Sequence, residues 1–344
     1  MAAIIERIVQ NFAVNKRSAL SCFGAINMRA IRLLFLVLLL FGQSLGLSAE
    51  TRKKGVSFDI GVGAGYSDLG YRAQSTDNLS ALAKGSWGVR ANVGINYFFI
   101  DYVGIGLGLS FTRYGSGISL DGNMVWNDVT DTDIQPGELY NHHLQIDNWR
   151  EDLQRYYVAP NLMLQAAVPA GDAYVLIRLG VEYAFGVHSS YKAHGTLTHS
   201  GYYPFGNLTL NEVAEHGFYT TDQFRPEGEL LIDGQQVALV GALGVGIPIA
   251  KYTELTIIAE ASNVVWMSGK QTAGGSNPIG FHENSPLVTD ATDPHYFIPE
   301  YASLSTTSLV SGTIRPLYVG LQIGVCITIP FSKRTPCMCL PLYY

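Results

Sequence analysis

The sequence predicts an all-β protein: a membrane-spanning, antiparallel, up-and-down β-barrel, most simply of eight strands, with long loops at one end. Residues Val56–Tyr66 alternate large apolar side chains with small or polar ones, and this two-residue period recurs seven more times, ending at Leu317–Ile329. After Ala49 no stretch of about 18 continuous apolar residues occurs, so the sequence offers no transmembrane helix. Repeated alternating segments of about ten residues are typical of lipid-facing strands.

The composition agrees with a membrane barrel and argues against a nucleic-acid binder. Only 15% of the 344 residues are charged, and the chain holds 37 glycines and 20 tyrosines. Small side chains relieve crowding in a narrow lumen, and tyrosine anchors at membrane interfaces. The net charge of −6 gives no basic surface for phosphates, so we expect no nucleic-acid partner, and no motif indicates a cofactor.

The N-terminal region has the pattern of a secretory signal peptide. Arg29 and Arg32 precede the apolar run Leu33–Phe41, and small residues follow as far as Ala49. This run is too short to cross a hydrocarbon core of about 30 Å, so the sequence favours cleavage after Ala49 over a membrane anchor. Met28 is a second candidate start. The expected organisation is a signal peptide at 1–49, the barrel at 50–331 and a periplasmic tail at 332–344.

Tight turns alternate with long polar loops between the eight predicted strands. The strands are Val56–Tyr66, Gly85–Phe98, Val103–Tyr114, Arg155–Ala167, Ala173–Val187, Gln236–Ile247, Thr253–Met267 and Pro316–Ile329. The tight turns are Phe99–Tyr102, Val168–Asp172 and Pro248–Tyr252, and the long segments are Ser67–Lys84, Gly115–Gln154, His188–Gln235 and Ser268–Arg315. Short turns at one end and long loops at the other are typical of bacterial outer-membrane barrels, and they place both termini on the periplasmic side.

Two alternatives to this architecture stay open. A β-sandwich would also alternate, although it would not need long loops at only one end. Segments Ile118–Val125 and Leu208–Val213 alternate weakly. They would either form hairpins above the membrane or raise the strand count to ten.

The last predicted strand is the most regular. Its apolar face is unbroken from Leu317 to Phe331, while small and polar residues form the other face. With this pattern the chain, over about Val56–Phe331, resembles the small eight-stranded outer-membrane barrels of the OmpA/OmpX type. The resemblance implies that Phe331 is the aromatic signal recognised by the barrel assembly machinery, and that lipid and lipopolysaccharide surround the barrel. The tail departs from the family pattern, which puts the aromatic last; the terminal Tyr344 is the alternative signal.

Aromatic residues near the strand ends predict two interfacial girdles. The loop-side set is Tyr66, Trp87 and Tyr114, and the turn-side set is Phe98, Phe99, Tyr102 and Tyr252. Two aromatic bands at opposite ends of the strands indicate the two headgroup levels of one bilayer.

Charged side chains opposite the lipid face are expected to point into the barrel. They are Asp59, Arg90, Arg178, Glu182 and Glu260. Because an isolated buried charge is costly, we expect pairing, with Arg90 meeting Asp59 on the neighbouring strand, while Arg178 and Glu182 share one face. Internal salt bridges that rigidify the barrel are favoured, since eight strands enclose little more than their own side chains; a narrow ion path is the alternative.

The histidines all fall in or beside the predicted long loops: His142, His143, His188, His194, His199, His216, His282 and His295. Their spacing matches no tight metal-binding motif, so we expect scattered, exposed side chains, with a surface metal site as the alternative. His188 and Ser190 share a strand face and are similar to the His-x-Ser element of barrel lipid A deacylases. That resemblance would make His188 the base and Ser190 the nucleophile, but the supporting acid is unassigned.

Two further groups have ordinary interpretations. Asp128, Asp131 and Asp133 are expected to form a solvated acidic loop, because the Gly and distant Glu of an EF-hand are missing; weak calcium binding is the alternative. Cys326 and the tail residues Cys337 and Cys339 are expected to be idle thiols, with one intermolecular bridge as the alternative.

The sequence therefore predicts a non-enzymatic outer-membrane barrel that acts through its long surface loops. The expected roles are envelope structure, adhesion, or docking to another envelope protein or an extracellular ligand. A narrow porin-like channel lined by the lumen charges and a lipid A-modifying hydrolase are the alternatives.

Overall fold

The architecture is taken from a computed structural model. It describes residues 55–100, 102–130, 138–213, 217–230, 234–268, 279–280, 300–307, 309–311 and 315–330. The expected signal peptide with its alternative start at Met28, the assembly signal Phe331 and the tail lie outside the described residues.

Eight long strands form a closed ring, and we number them β1 to β8 along the chain. They are β1 Gly55–Asp68, β2 Leu79–Phe98, β3 Val103–Thr130, β4 Leu139–Ala170, β5 Ala173–Tyr203, β6 Gln235–Ala250, β7 Thr253–Met267 and β8 Leu317–Pro330. Each strand pairs antiparallel with its neighbours in sequence, and β1 pairs with β8 from Gly55↔Pro330 to Asp68↔Leu317. The predicted eight-stranded up-and-down barrel is therefore confirmed, and the β-sandwich is excluded. The described residues contain no helix that is long and apolar enough to cross a membrane.

The part of the ring next to the three tight turns is here called the lower barrel. Its outward face is apolar and exposed, as the alternation predicted. Ile60 and Leu107 are 62% and 66% exposed, whereas Ser57 and Ser110 on the inward face are fully buried. The three predicted tight turns connect β2 to β3, β4 to β5 and β6 to β7. The two-residue period thus assigns each residue of this part to one face of the wall.

Three strands are much longer than expected. β3, β4 and β5 contain 28, 32 and 31 residues, and they continue through segments that were expected to be loops. In β3 the even-numbered residues point inward up to the irregularity after Trp126, but the apolar residues move from the outward face (Leu109, Phe111) to the inward face (Ile118, Leu120). The apolar residues therefore change face along one continuous strand: they lie outside in the lower wall and inside in the upper wall.

This upper part, here called the extension, comprises residues 115–130 of β3, 139–154 of β4 and 188–203 of β5. Sixteen residues correspond to about 50 Å of strand length, at about 3.3 Å per residue. The predicted segment Ile118–Val125 lies within β3, and Leu208–Asn211 forms a short strand on the upper end of β5. Neither segment adds a strand to the ring, which therefore has eight strands in the part of the chain that is described.

The aromatic girdles are only partly as expected. Tyr66 and Trp87 are exposed at the upper edge of the apolar band, and Phe99, Tyr102 and Tyr252 are exposed at its lower edge. Tyr114 and Phe98 are instead buried, and their assignment to the girdles was wrong. Both residues fall on the inward-facing side of the two-residue alternation in their strands, so they fill the barrel ends rather than face outward.

Candidate functional site

The centre of the lower barrel is a buried cluster of charged side chains around Arg90 of β2. Its guanidinium contacts the Glu182 carboxylate through Nη2, and Nε lies 2.7 Å from Oε1 of Glu260. Nη1 and Nη2 also lie 3.3 Å and 3.4 Å from the hydroxyl oxygens of Thr112 and Ser110. Ser110 in turn donates to Oε1 of Glu182 at 2.9 Å. One arginine therefore joins strands β2, β5 and β7 across the lumen.

A second ion pair lies below the first. Nη1 of Arg178 is 3.3 Å from Oδ2 of Asp59, and the Asn96 amide donates to Oδ1 of Asp59 at 2.5 Å. The expected pairing of Arg90 with Asp59 was wrong. In the β1–β2 register Asp59 lies opposite Gly94, four residues from Arg90, which is about 13 Å along the strand.

Side chains fill the lumen at this level. A cavity of about 30 Å³ lies beside the two ion pairs and is lined in part by Asp59, Arg90, Arg178 and Glu260. A water molecule needs roughly 10–15 Å³ of such volume, so this cavity has room for about two. All five predicted lumen charges therefore lie in or beside one compact cluster, and its geometry ties strands together rather than outlining a wide path.

Above the charges the interior becomes aromatic and then apolar. The Tyr114 and Tyr157 rings meet edge to face with centroids 5.6 Å apart, and Nη2 of Arg155 donates to the Tyr71 hydroxyl at 2.8 Å. Farther up, the extension encloses an apolar core that the sequence analysis did not predict. Its fully buried members include Leu120, Leu144, Ile146, Trp149 and Leu153.

Residues 301–307 and 309–311, here called the strap, lie across this upper core. Tyr301, Leu304, Leu309 and Val310 of the strap pack into it. Glu151 of β4, which is fully buried, accepts hydrogen bonds from the strap. The upper end of the barrel is thus closed by the chain's own residues.

Two histidines contradict the expectation of exposed side chains. His142 of β4 and His199 of β5 are buried, with Nε2 of His142 3.0 Å from Nδ1 of His199. Phe218 and Tyr140 pack against the His142 ring. The two-residue alternation of the sequence could have indicated this burial, because His142 lies two residues before Leu144 and on the same inward face of β4.

Burial shifts the pKa of both imidazoles downward. Desolvation, followed by the nearby His199 and His143, lowers the pKa of His142 to about 3, and desolvation lowers the pKa of His199 to about 4. No group of three or more metal-ligating side chains occurs within the described residues. His143, His188 and His194 are not buried, and the remaining histidines, His216, His282 and His295, lie outside the described part.

We expect the region around this histidine pair to loosen in mild acid. The neutral rings are favoured in the closed structure, so its stability is complete above the ordinary pKa of 6.5 and falls as pH drops towards 4. Both histidines act in the same direction, because the opened structure binds protons in this pH range that the buried rings do not. The measurement is amide exchange of residues 217–221 at pH 7 and pH 5, corrected for intrinsic rates.

The matched variants for this experiment are His142→Phe and His143→Phe. The first should weaken the pH dependence, because phenylalanine fits an aromatic site and does not titrate. The second should change it much less, because the His143 side chain is on the outward face of β4 and is the smallest of the three causes that lower the His142 pKa. Equal protection of residues 217–221 at both pH values in the unmodified protein would contradict the expectation.

The His188 and Ser190 pair does not form a catalytic arrangement. His188 is exposed, with Nδ1 3.9 Å from Oε1 of the exposed Glu229, and Ser190 lies opposite Glu229 in the strand register. No hydrogen bond between Ser190 and His188 is present among the described contacts, whereas an activated nucleophile needs its base at about 2.6–3.2 Å.

The other two predicted groups are only partly described. Asp128 is exposed and has a φ of 55° at an irregularity between β3 and β4, while Asp131 and Asp133 lie outside the described residues. Cys326 is buried on the inward face of β8. Cys337 and Cys339 are not in the described part.

The comparisons with known proteins give distant structural similarity only. No protein-family model and no curated relative matches the chain. Among solved structures, the outer-membrane protein OprG from Pseudomonas aeruginosa is 12% identical, with 83% of this chain and 100% of OprG covered and a TM-score of 0.33. Neisserial surface protein A is 10% identical, with 80% and 100% covered and a TM-score of 0.30. Ail of Yersinia pestis, solved with the heparin analogue sucrose octasulfate, is 10% identical, with 80% and 98% covered and a TM-score of 0.25.

Proposed function

We propose that this protein is a non-enzymatic, integral outer-membrane barrel that presents its extension at the cell surface. The supporting observation is a closed ring whose exposed face is apolar in the lower barrel, whereas the extension is polar outside. Outward positions of β1 from Val56 to Tyr66 and of β8 from Val319 to Ile329 carry no charged residue. A soluble protein rarely exposes an apolar surface of this extent.

The exposed aromatic residues set the position of the barrel in the bilayer. Tyr66 and Trp87 mark the upper interface, and Phe99, Tyr102 and Tyr252 mark the lower one. The three tight turns then face the periplasm, as do both ends of the ring at Gly55 and Pro330. The extension lies on the outer side, among lipopolysaccharide, and the barrel assembly machinery inserts the chain. The finer resemblance to the OmpA/OmpX type is part of this proposal.

The extension is the part we propose to make contacts. It adds about 50 Å of strand length beyond the apolar band, and its outward positions on β5 are polar, including Lys192, Thr196 and Thr198. Its own apolar core makes it rigid, so it holds its outward face in a fixed position relative to the membrane. Adhesion, envelope structure or docking to another envelope protein would each use such a surface.

The channel alternative receives less support. The Arg90 and Arg178 ion pairs fill the lower lumen, and the upper core with its strap closes the lumen above. The enzyme alternative also receives less support, because Ser190 and His188 do not meet. Both observations favour a protein that acts through its outer surface.

The test is planar-bilayer conductance of the purified full-length protein. We expect no steady channels from the unmodified protein and none from Arg178→Ala, because the Arg90 cluster and the upper core remain in place. A general diffusion porin reconstituted in the same membrane is the positive control. Steady channels whose conductance changes in Arg178→Ala would instead establish transport through the charged lumen.

A further inference from the structure

We propose that the strap opens and closes over the upper end of the barrel, and that its hydrogen bonds to the Glu151 carboxylate hold it closed. This inference concerns the described contacts between the strap and the wall. It holds whatever partner the extension contacts.

One wall side chain, Glu151, accepts three of the described hydrogen bonds from the strap. The Tyr301 hydroxyl donates to Oε2 of Glu151 at 2.7 Å, and the Ser303 hydroxyl donates to Oε1 at 2.8 Å. The Leu304 amide also donates to Oε2, at 2.9 Å. A short 3-10 turn, Leu304–Thr306, presents these donors together. The loss of one carboxylate would therefore remove three hydrogen bonds at once.

No basic side chain pairs with Glu151 among the described ion pairs. Its carboxyl oxygens accept from hydroxyl and amide donors of the strap, and water would supply equivalent donors if the strap moved away. Opening therefore exchanges one set of hydrogen bonds for another. Closure is favoured by burial of the strap's apolar side chains Leu304, Leu309 and Val310. Apolar burial favours the closed strap, and hydrogen bonds to water compensate the open one, so both the closed and the open strap are accessible.

Among the described residues, the rest of the strap is attached by two short backbone ladders, and in one of them Glu300 and Tyr301 pair with Gly280 and Ile279. Val310 and Ser311 pair with Ala73 and Arg72 in a two-residue ladder, and the Gln74 amide donates to the Leu309 carbonyl at 2.7 Å. The barrel strands, by contrast, are joined by ladders of eleven or more paired residues, as between β7 and β8. A segment with such short ladders is expected to open locally while the ring stays closed.

The experiment is hydrogen exchange by mass spectrometry on the full-length protein in detergent, following peptides over residues 301–311 and over β1 and β8. In Glu151→Ala we expect the strap amides to exchange at least about tenfold faster, with β1 and β8 unchanged. Ser303→Ala, made in the strap itself, should act in the same direction with a smaller effect. Glu229→Ala is the matched control, because that carboxylate is exposed and its described ion pair is with His188 rather than with the strap.

Two results would overturn the proposal that the strap opens locally and is held closed by Glu151. An unchanged hydrogen-exchange rate of the strap amides in Glu151→Ala would show that the carboxylate does not hold the strap closed. Strap amides that exchange only at the rate of β1 and β8 in the unmodified protein would show that the strap opens only with the whole barrel. If Glu151→Ala does not fold, Ser303→Ala and Tyr301→Phe carry the same test, since both leave the wall intact.

Discussion

Replacement of Arg90 by alanine is expected to destabilise the barrel by about 3–5 kcal/mol, because it leaves two carboxylates buried without their cation. Glu182 and Glu260 both contact the Arg90 guanidinium, and all three side chains are almost fully buried. Arg90→Met should lose nearly as much, since it keeps the aliphatic stem but not the charge. The measurement is the free energy of urea unfolding in lipid vesicles, followed by tryptophan fluorescence.

The matched control for Arg90 is Arg150 on the outer face of the extension. Its pair with Asp152 is 3.0 Å long, but the two side chains are 56% and 42% exposed. Solvated pairs of this kind contribute about 0.2–1 kcal/mol, so Arg150→Ala should be nearly neutral. Glu182→Gln and Glu260→Gln added to Arg90→Ala should recover part of the loss. Equal effects of Arg90→Ala and Arg150→Ala would show that the lumen charges do not hold the ring together.

The difference between these two arginines also shows what the sequence could predict. The two-residue period places Arg90 on the inward face, and the cost of burial predicts that it pairs. It does not predict the partner, because the contact of Arg90 with Glu182 crosses the lumen, and that distance is known only once the ring closes. The neighbouring strand offered Asp59, but the register puts it about 13 Å away along β1.

The extension was missed for a related physical reason. The lipid-facing alternation stops at the upper edge of the apolar band, and apolar residues outside define a membrane strand, so the pattern alone predicts that the strands end there. Beyond Tyr114 the inward residues become apolar, as with Ile118 and Leu120, and the outward ones become polar. The parity of the strand is unchanged, so the strand continues while its apolar face moves to the other side. The same change of face concealed His142, which lies in the inward series of the upper wall and not in a loop.

Leu107→Arg is expected to prevent stable insertion, because it puts a charge on the lipid face of β3. Leu107 is 66% exposed and lies between Ile95 of β2 and Leu162 of β4, which are also exposed. A charged residue near the midplane of a membrane barrel costs about 2–4 kcal/mol. In a soluble protein the same exposed position would accept arginine without loss. The measurement is the fraction of protein in the outer-membrane fraction that runs faster unboiled than boiled.

Val125→Arg is the control that makes this result specific. Val125 is 45% exposed on the same strand and the same outward parity, eighteen residues beyond Leu107, in the extension. Eighteen residues correspond to about 60 Å of strand, well outside a hydrocarbon core of about 30 Å. We therefore expect Val125→Arg to insert normally, because its side chain meets water or saccharide rather than lipid. Insertion of both variants to the same extent would mean that the apolar band does not face a membrane, whereas failure of Leu107→Arg alone would locate the bilayer on the lower barrel.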